Sequence, residues 1–167
     1  NNEKIYDEFN KYDILIVPGF QGVDKNFNIT TLGRGGSDTS AVAIASSLKV
    51  ECVIYTDVEG VYTTDPNLVP KAKKIPKISY EEMLELASQG AKVLQTRSVE
   101  LAMRKKTKLS VRSSIKPSAS GTVITDENNV LENNTVSGIA FSRDEAKITL
   151  SKVLDKPGVS SKIFGPL

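Results

Sequence analysis

The chain has 167 residues, 39% of them hydrophobic and 25% charged, a formal net charge of +2, one cysteine and no histidine. This is the composition of one ordinary folded domain, or of one domain and a piece of a second, with enough apolar mass for a core. The missing histidine excludes a Ser-His-Asp triad, imidazole acid–base chemistry and the common zinc sites within the chain; the small net charge and the lack of a long apolar run argue against nucleic acid and membrane as partners.

Residues 3–12 read as the polar end of a helix leading into Ile14-Leu15-Ile16-Val17, a short apolar run with the character of a strand buried on both faces. Pro18 to Gly22 turns out of it, and Val23 to Ile29 forms a small excursion. Thr30-Thr31-Leu32-Gly33-Arg34-Gly35-Gly36-Ser37-Asp38 then enters a helix at about 38–48, whose run from Ala41 to Leu48 carries no charge. Its glycines permit positive φ, Ser37 or Asp38 can cap the helix, and the N–H groups of such a turn beside Arg34 suit a carboxylate or phosphate. The same pattern also serves packing alone, and the spacing matches neither GxxxxGK[ST] nor GxGxxG. Val53 to Thr56 is a second buried strand, so strand, helix and strand predict a right-handed crossover in a mainly parallel sheet. Cys52, at its start, reads as a small buried hydrophobe, and a lone cysteine fits a reducing cytoplasm.

Ligands of such sheets sit at the carboxyl ends of the strands, which directs attention to Thr56-Asp57-Val58-Glu59-Gly60-Val61-Tyr62-Thr63-Thr64-Asp65-Pro66-Asn67. Tyr62 can lie against a base or ribose and Asp57 can take a hydroxyl; a turn-rich loop with Tyr62 in the core accounts for the same composition. Lys71, Lys73, Lys74 and Lys77 form a solvated connector. Ser79 and Glu82 have capping-box spacing, with a helix running to a stop at Gly90. Lys92 to Lys106 is the next helix, and a lysine at its start opposes the dipole unless an anion sits beside it. Leu109 to Arg112 alternates as a strand, and 116–121 and 126–134 read as connections, the second a domain boundary. Beyond it Val136 to Phe141 and Ala146 to Val153 read as strands, and Asp155-Lys156-Pro157-Gly158-Val159 opens a helix. The chain ends before a return strand, so a fragment of a longer protein is expected.

Val17-Pro18-Gly19-Phe20, the Thr30–Asp38 run, Tyr55-Thr56-Asp57-Val58, Gly60 to Pro66 and Gly90-Ala91-Lys92-Val93-Leu94 occur together and in order. On these segments the chain resembles the aspartokinases of the amino-acid kinase family over nearly its whole length, and Val136 to Leu167 resembles the opening of an ACT regulatory domain. The resemblance implies an α/β three-layer αβα sandwich with a mainly parallel sheet. Residues 1–125 would be the carboxyl-terminal, ATP-binding lobe, 126–134 a linker, and 135–167 the start of a ferredoxin-like ACT domain.

It also implies phosphoryl transfer from ATP to the side-chain carboxylate of L-aspartate, the first step toward lysine, threonine and methionine, with magnesium carried by ATP and no protein-held metal. By motif, Asp38 would be catalytic, orienting groups near the transferred phosphoryl, and Arg34 and Ser37 would contact aspartate. Thr56, Asp57, Tyr62, Asn67, Lys92 and Val93 would bind ATP, and Asp155, Pro157 and Gly158 would edge a site for a lysine or threonine effector. A cytoplasmic homo-oligomer is expected. Asn67 stands where the family often has Arg, Gln95-Thr96 where His-Pro is common, and the Lys-Phe-Gly-Gly segment with the principal catalytic lysine is missing, so this chain alone is expected to be a poor kinase. Another amino-acid kinase, or a non-catalytic effector-binding module, remains as an alternative.

Overall fold

A computed structural model describes residues 2–126, 136–141, 156–159 and 161. Helix α1 (Asn2–Phe9) leads to a hairpin of β1 (Gln21–Val23) and β2 (Ile29–Thr31), antiparallel with Gly22 opposite Thr30. The Asp24 carboxylate closes its turn by accepting from the Asn26 and Asn28 backbone N–H groups at 2.8 and 2.9 Å. Helix α2 (Gly36–Leu48), β3 (Cys52–Thr56), β4 (Lys77–Ser79), α3 (Tyr80–Ser88), α4 (Thr96–Lys105), β5 (Leu109–Ser113) and β6 (Thr122–Thr125) follow.

The α/β class stands. Strands pair in the order β3-β5-β6-β4, with β3–β5 and β4–β6 parallel and β5–β6 antiparallel. Helices α2 and α3 both pack on α4, which places all three on one face of the sheet. Small residues allow this close approach: Val42 and Ala45 of α2 and Ser98, Val99 and Ala102 of α4 are all buried. They meet Ile78, Met83, Leu109, Val111 and Ile124 in one core. Burying a Leu, Ile, Val or Met side chain in such a core is worth roughly 1.5–3 kcal/mol. Helix α3 begins in the capping box that its sequence predicts: Ser79 Oγ accepts from the Glu82 N–H at 3.1 Å, and Glu82 Oε2 accepts from the Ser79 N–H at 3.1 Å. Tyr80 is fully buried and donates its hydroxyl to the Thr107 carbonyl at 2.9 Å; burial pushes its pKa up to about 12.

Several expectations are corrected. Residues 14–17 form no strand, and Ile16 is 95% exposed. Apolar β-branched residues make a strand only against a partner edge, and no described strand runs beside this segment. The crossover from 14–17 through α2 to β3 is therefore not formed. Strand β3 lies at the edge of the described sheet and alternates instead of being covered on both faces: Cys52 is buried while Val53 and Tyr55 are exposed. Residues 136–141 are not a strand. Strand β4, whose Lys77 and Ser79 were expected in a connector and a helix cap, and β6, for which no element was expected, complete the sheet. The linker and the strand at 146–153 fall almost wholly or wholly outside the described residues; Pro157 and Gly158 form an exposed turn into helical backbone at Val159.

Strand β6 holds the sheet to the long excursion between β3 and β4. Gly121 lets it approach, since a Cβ there would come within 1.8 Å of the Val111 carbonyl oxygen. The next residue, fully buried Thr122, accepts from the Val61 N–H at 2.8 Å and donates to the Ile75 carbonyl at 2.6 Å. One hydroxyl thus ties both ends of the excursion. Replacing Thr122 with Val keeps the shape but leaves buried Val61 N–H without its acceptor. The variant should lose about 1–3 kcal/mol of unfolding free energy, read as a lower urea midpoint at constant slope; an unshifted midpoint would remove Thr122 as the tie.

Candidate functional site

The excursion from residue 57 to 76 is a folded arm. Val61 accepts from the Ile75 N–H at 2.8 Å, the Thr63 N–H donates to Lys73 at 2.8 Å, and Tyr62 pairs with Lys74. Beyond this ladder the chain reverses at Asp65, whose carboxylate accepts from the Asn67 N–H at 2.9 Å. Glu59 anchors the start of the arm, its carboxylate 2.6 Å from Lys116 Nζ and 4.0 Å from Lys74 Nζ, and these cations hold it below the usual carboxylate range.

Between the arm, the end of β3 and the turn after α3 lies a cleft of about 670 Å³. Thr56, Asp57, Tyr62, Asn67, Lys92 and Val93 all line it. It opens at the carboxyl end of β3, where open α/β sheets hold their ligands. Thr56 Oγ1 donates to the Asp57 carboxylate at 3.0 Å, and the Thr56 carbonyl accepts from the Ser114 N–H at 2.8 Å, so the rim is fixed by its own hydrogen bonds. An exposed carboxylate, an exposed ammonium, an aromatic edge and apolar Val93 around one space suit a ligand with hydroxyls, anionic groups and a flat ring. Lys92 does not open a helix: α4 starts at Thr96, and Lys92 lies on the preceding turn. Its place is set by the cleft and not by a helix dipole.

Arg34 lies apart from these on the glycine turn before α2, and Ser37 and Asp38 lie in the first turn of that helix. Neither Ser37 nor Asp38 caps α2; Gly35 takes that position in the left-handed region, at φ 74°, where no side-chain oxygen is required. A Cβ on Gly35 would fall 2.1 Å from Gln95 Cγ, so the turn and the start of α4 touch. Arg97, which sequence reading did not single out, seals the contact by donating through Nη2 to the Leu32 and Arg34 carbonyls at 3.0 and 2.7 Å. The side chains of Arg34 and Ser37 are both exposed. Asp38 is half-buried: burial raises its pKa, partly opposed by a hydrogen bond from the Gln95 backbone N–H.

A family model described as the amino acid kinase family matches residues 1–113. The chain belongs to the amino acid kinase family. It is 54% identical to an aspartate kinase of Pseudomonas putida over 169 residues, covering all of this chain and 41% of that protein. Among solved structures it resembles Escherichia coli aspartokinase III in complex with aspartate and ADP, with a TM-score of 0.72 and 38% identity over 79% of this chain and 29% of that one. The same enzyme in complex with lysine and aspartate gives 0.67 and 39% over the same shares. The chain thus spans about two fifths of the length of its curated relative.

Within this member of the amino acid kinase family, the structure adds lining residues that no motif flagged: Leu86 of α3, and Ile139, Ala140 and Phe141. Their only signal in sequence is apolarity, which a core strand shares. Cys52 is buried and its thiol pushed up to about 11, chiefly by burial, so it stays protonated at neutral pH and is no nucleophile. Among the described residues no three His, Cys, Asp or Glu side chains gather into a metal site, and no helix is long and apolar enough to cross a membrane.

Asp38 has a stability consequence. With its folded pKa raised above its unfolded value, its favourable contribution is complete while it is protonated and is lost as pH rises through the folded value. Asp38→Asn should therefore melt higher than the native protein at neutral pH, and the gap should close toward about pH 3. Thermal melts at the two pH values test this; a variant that melts lower at neutral pH would show that the charged form is the stabilised one.

Proposed function

We propose that this chain is the nucleotide-binding lobe of an aspartate kinase, whose remaining lobe corresponds to the part of the relatives that the chain does not cover. The observation that carries this reading is the convergence of Thr56, Asp57, Tyr62, Asn67, Lys92 and Val93 on one cleft, with Arg34 exposed on a separate anion-suited turn. The adenosine of ATP would lie along Tyr62 and Val93, with its ribose hydroxyls toward Thr56 and Asp57. Its phosphates would lie toward Lys92, and magnesium would come bound to them, most of its ligands being phosphate and water. Asn67 offers an amide where the resemblance leads one to expect a guanidinium, and Lys92 then supplies most of the positive charge.

Arg34 and Ser37 would hold L-aspartate through its charged groups. A side-chain carboxylate oxygen of aspartate attacks the γ-phosphorus, the bond from that phosphorus to the β,γ-bridging oxygen breaks, and ADP leaves with the electron pair, giving 4-phospho-L-aspartate. Such a transfer is carried by positioning and charge and needs no histidine. Asp38, fixed between burial and the Gln95 N–H, would orient the groups around the phosphoryl. In the same reading residues 1–125 are the kinase lobe, 126–134 a linker and 135–167 the start of an ACT domain. Asp155, Pro157 and Gly158 would edge a lysine or threonine site in a cytoplasmic homo-oligomer.

Trapping of the acyl phosphate by hydroxylamine tests the reaction on the full kinase polypeptide, with ATP and either L-aspartate or L-glutamate. Product from aspartate only is expected; product from glutamate instead would assign a different amino-acid kinase, and none from either would leave a binding module. Lys92→Ala should raise KM for ATP about tenfold, the loss of one charge-assisted contact, and leave KM for aspartate near its native value. An effect on aspartate alone would move Lys92 out of the nucleotide site. Asp38→Ala should lower turnover about a hundredfold with the fold retained.

A further inference from the structure

The nucleotide cleft has a wall that comes from outside the kinase lobe's own sheet and helices. Residues 136–141 lie across the base of the arm and the exposed end of α3, and their contacts are specific. The Ile139 N–H donates to the Thr63 carbonyl at 2.7 Å, in the arm that carries Tyr62. Gly138 lies flat between Leu86 and the arm: a Cβ there would come within 3.2 Å of Leu86 Cδ2 and 3.4 Å of the Thr63 carbonyl oxygen. At Gly90 a Cβ would meet the Phe141 carbonyl at 3.0 Å, so the segment also rests on the turn that leads to Lys92.

Ser137 fixes the near end by donating its hydroxyl to Glu82 Oε1. Glu82 is a firm acceptor because its other oxygen, Oε2, is already held by the Ser79 N–H and hydroxyl at 3.1 Å each. Burial pushes the Glu82 carboxyl up, but the bonds from Ser137 and Ser79 outweigh it and hold the group below its usual range, so it is a carboxylate at neutral pH. The capping box of α3 thus serves as the anchor of a segment more than fifty positions away in sequence. Beyond the anchor, Ile139, Ala140 and Phe141 reach the cleft and line it with Leu86.

We propose that the segment Ser137–Phe141 is a structural wall of the nucleotide site, clamped by Ser137 on Glu82 and by Ile139 on Thr63, and that its seating sets nucleotide affinity. This rests on reading the cleft as the nucleotide site. Ser137 is a positioning residue: it touches Glu82 and acts through the segment that it holds. Whatever displaces this segment, at any distance along the chain that follows, opens the nucleotide side of the site and leaves the glycine turn with Arg34 and Ser37 as it was.

The test is MgADP binding by calorimetry, with substrate kinetics, on the full kinase polypeptide and its Ser137→Ala, Ser137→Thr and Gly138→Ala forms. Ser137→Ala should weaken MgADP about fivefold, the loss of one hydrogen bond to a charged group shared with segment mobility. KM for ATP should rise in step, KM for aspartate should stay within about twofold, and Ser137→Thr, which keeps the hydroxyl, should restore binding. Gly138→Ala, which pushes on Leu86 without touching the clamp, should weaken MgADP in the same direction. Equal affinity in native, Ser137→Ala and Gly138→Ala forms would overturn the wall while leaving the nucleotide reading intact. A native protein that binds no MgADP would instead overturn the reading on which the wall rests.

Discussion

The structure depends on a single buried hydroxyl. Thr122 sits where β6 crosses the two ends of the arm, and it satisfies the Val61 N–H and the Ile75 carbonyl together. A buried amide without an acceptor costs more than an ordinary hydrogen bond contributes, so Thr122 makes this crossing the favoured position for the arm. The constraint reaches the cleft directly. Val61 is next to Tyr62, and the ladder that begins there places Thr63 and the Asp65 turn. The glycine before Thr122 has a matching role, since only a residue without Cβ lets β6 come against the Val111 carbonyl. The cleft at the end of β3 is therefore positioned by β6, a strand that contributes nothing to its lining.

This explains which parts could be read from sequence. The capping box at Ser79 and Glu82, the stop at Gly90 and the strand expected from Leu109 to Arg112 are local, each specified by a few adjacent residues, and each is found within a residue or so of its expected place. The cleft was legible too, because loops at strand ends are dense in hydroxyls and carboxylates for a chemical reason. What was not legible depends on partners distant in sequence. Ile14 to Val17 has the composition of a buried strand but lies exposed, since composition states a preference and a neighbouring edge realises it. Val136 to Phe141 has strand composition for another reason: its apolar residues face a cleft and its backbone is held at one carbonyl of the arm. Nothing in its own six letters distinguishes the two cases. Arg97 was missed because an exposed arginine on a helix is ordinarily solvated, and its two carbonyl acceptors belong to a turn more than sixty residues earlier.

The departures from the aspartokinase pattern are informative at Gln95. Its side chain occupies the space over Gly35 that a Cβ would fill, while its backbone N–H faces Asp38. The contact between the glycine turn and α4 is thus made by an uncharged amide on one side and by the Arg97 guanidinium on the other. A histidine at the position of Gln95 would change charge near neutral pH, and the amide does not. Asp38 meets this contact through the Gln95 N–H, and burial works against its charged form. Asp38 is thus a half-buried carboxylate whose charged form burial disfavours, the pattern that marks a candidate functional group.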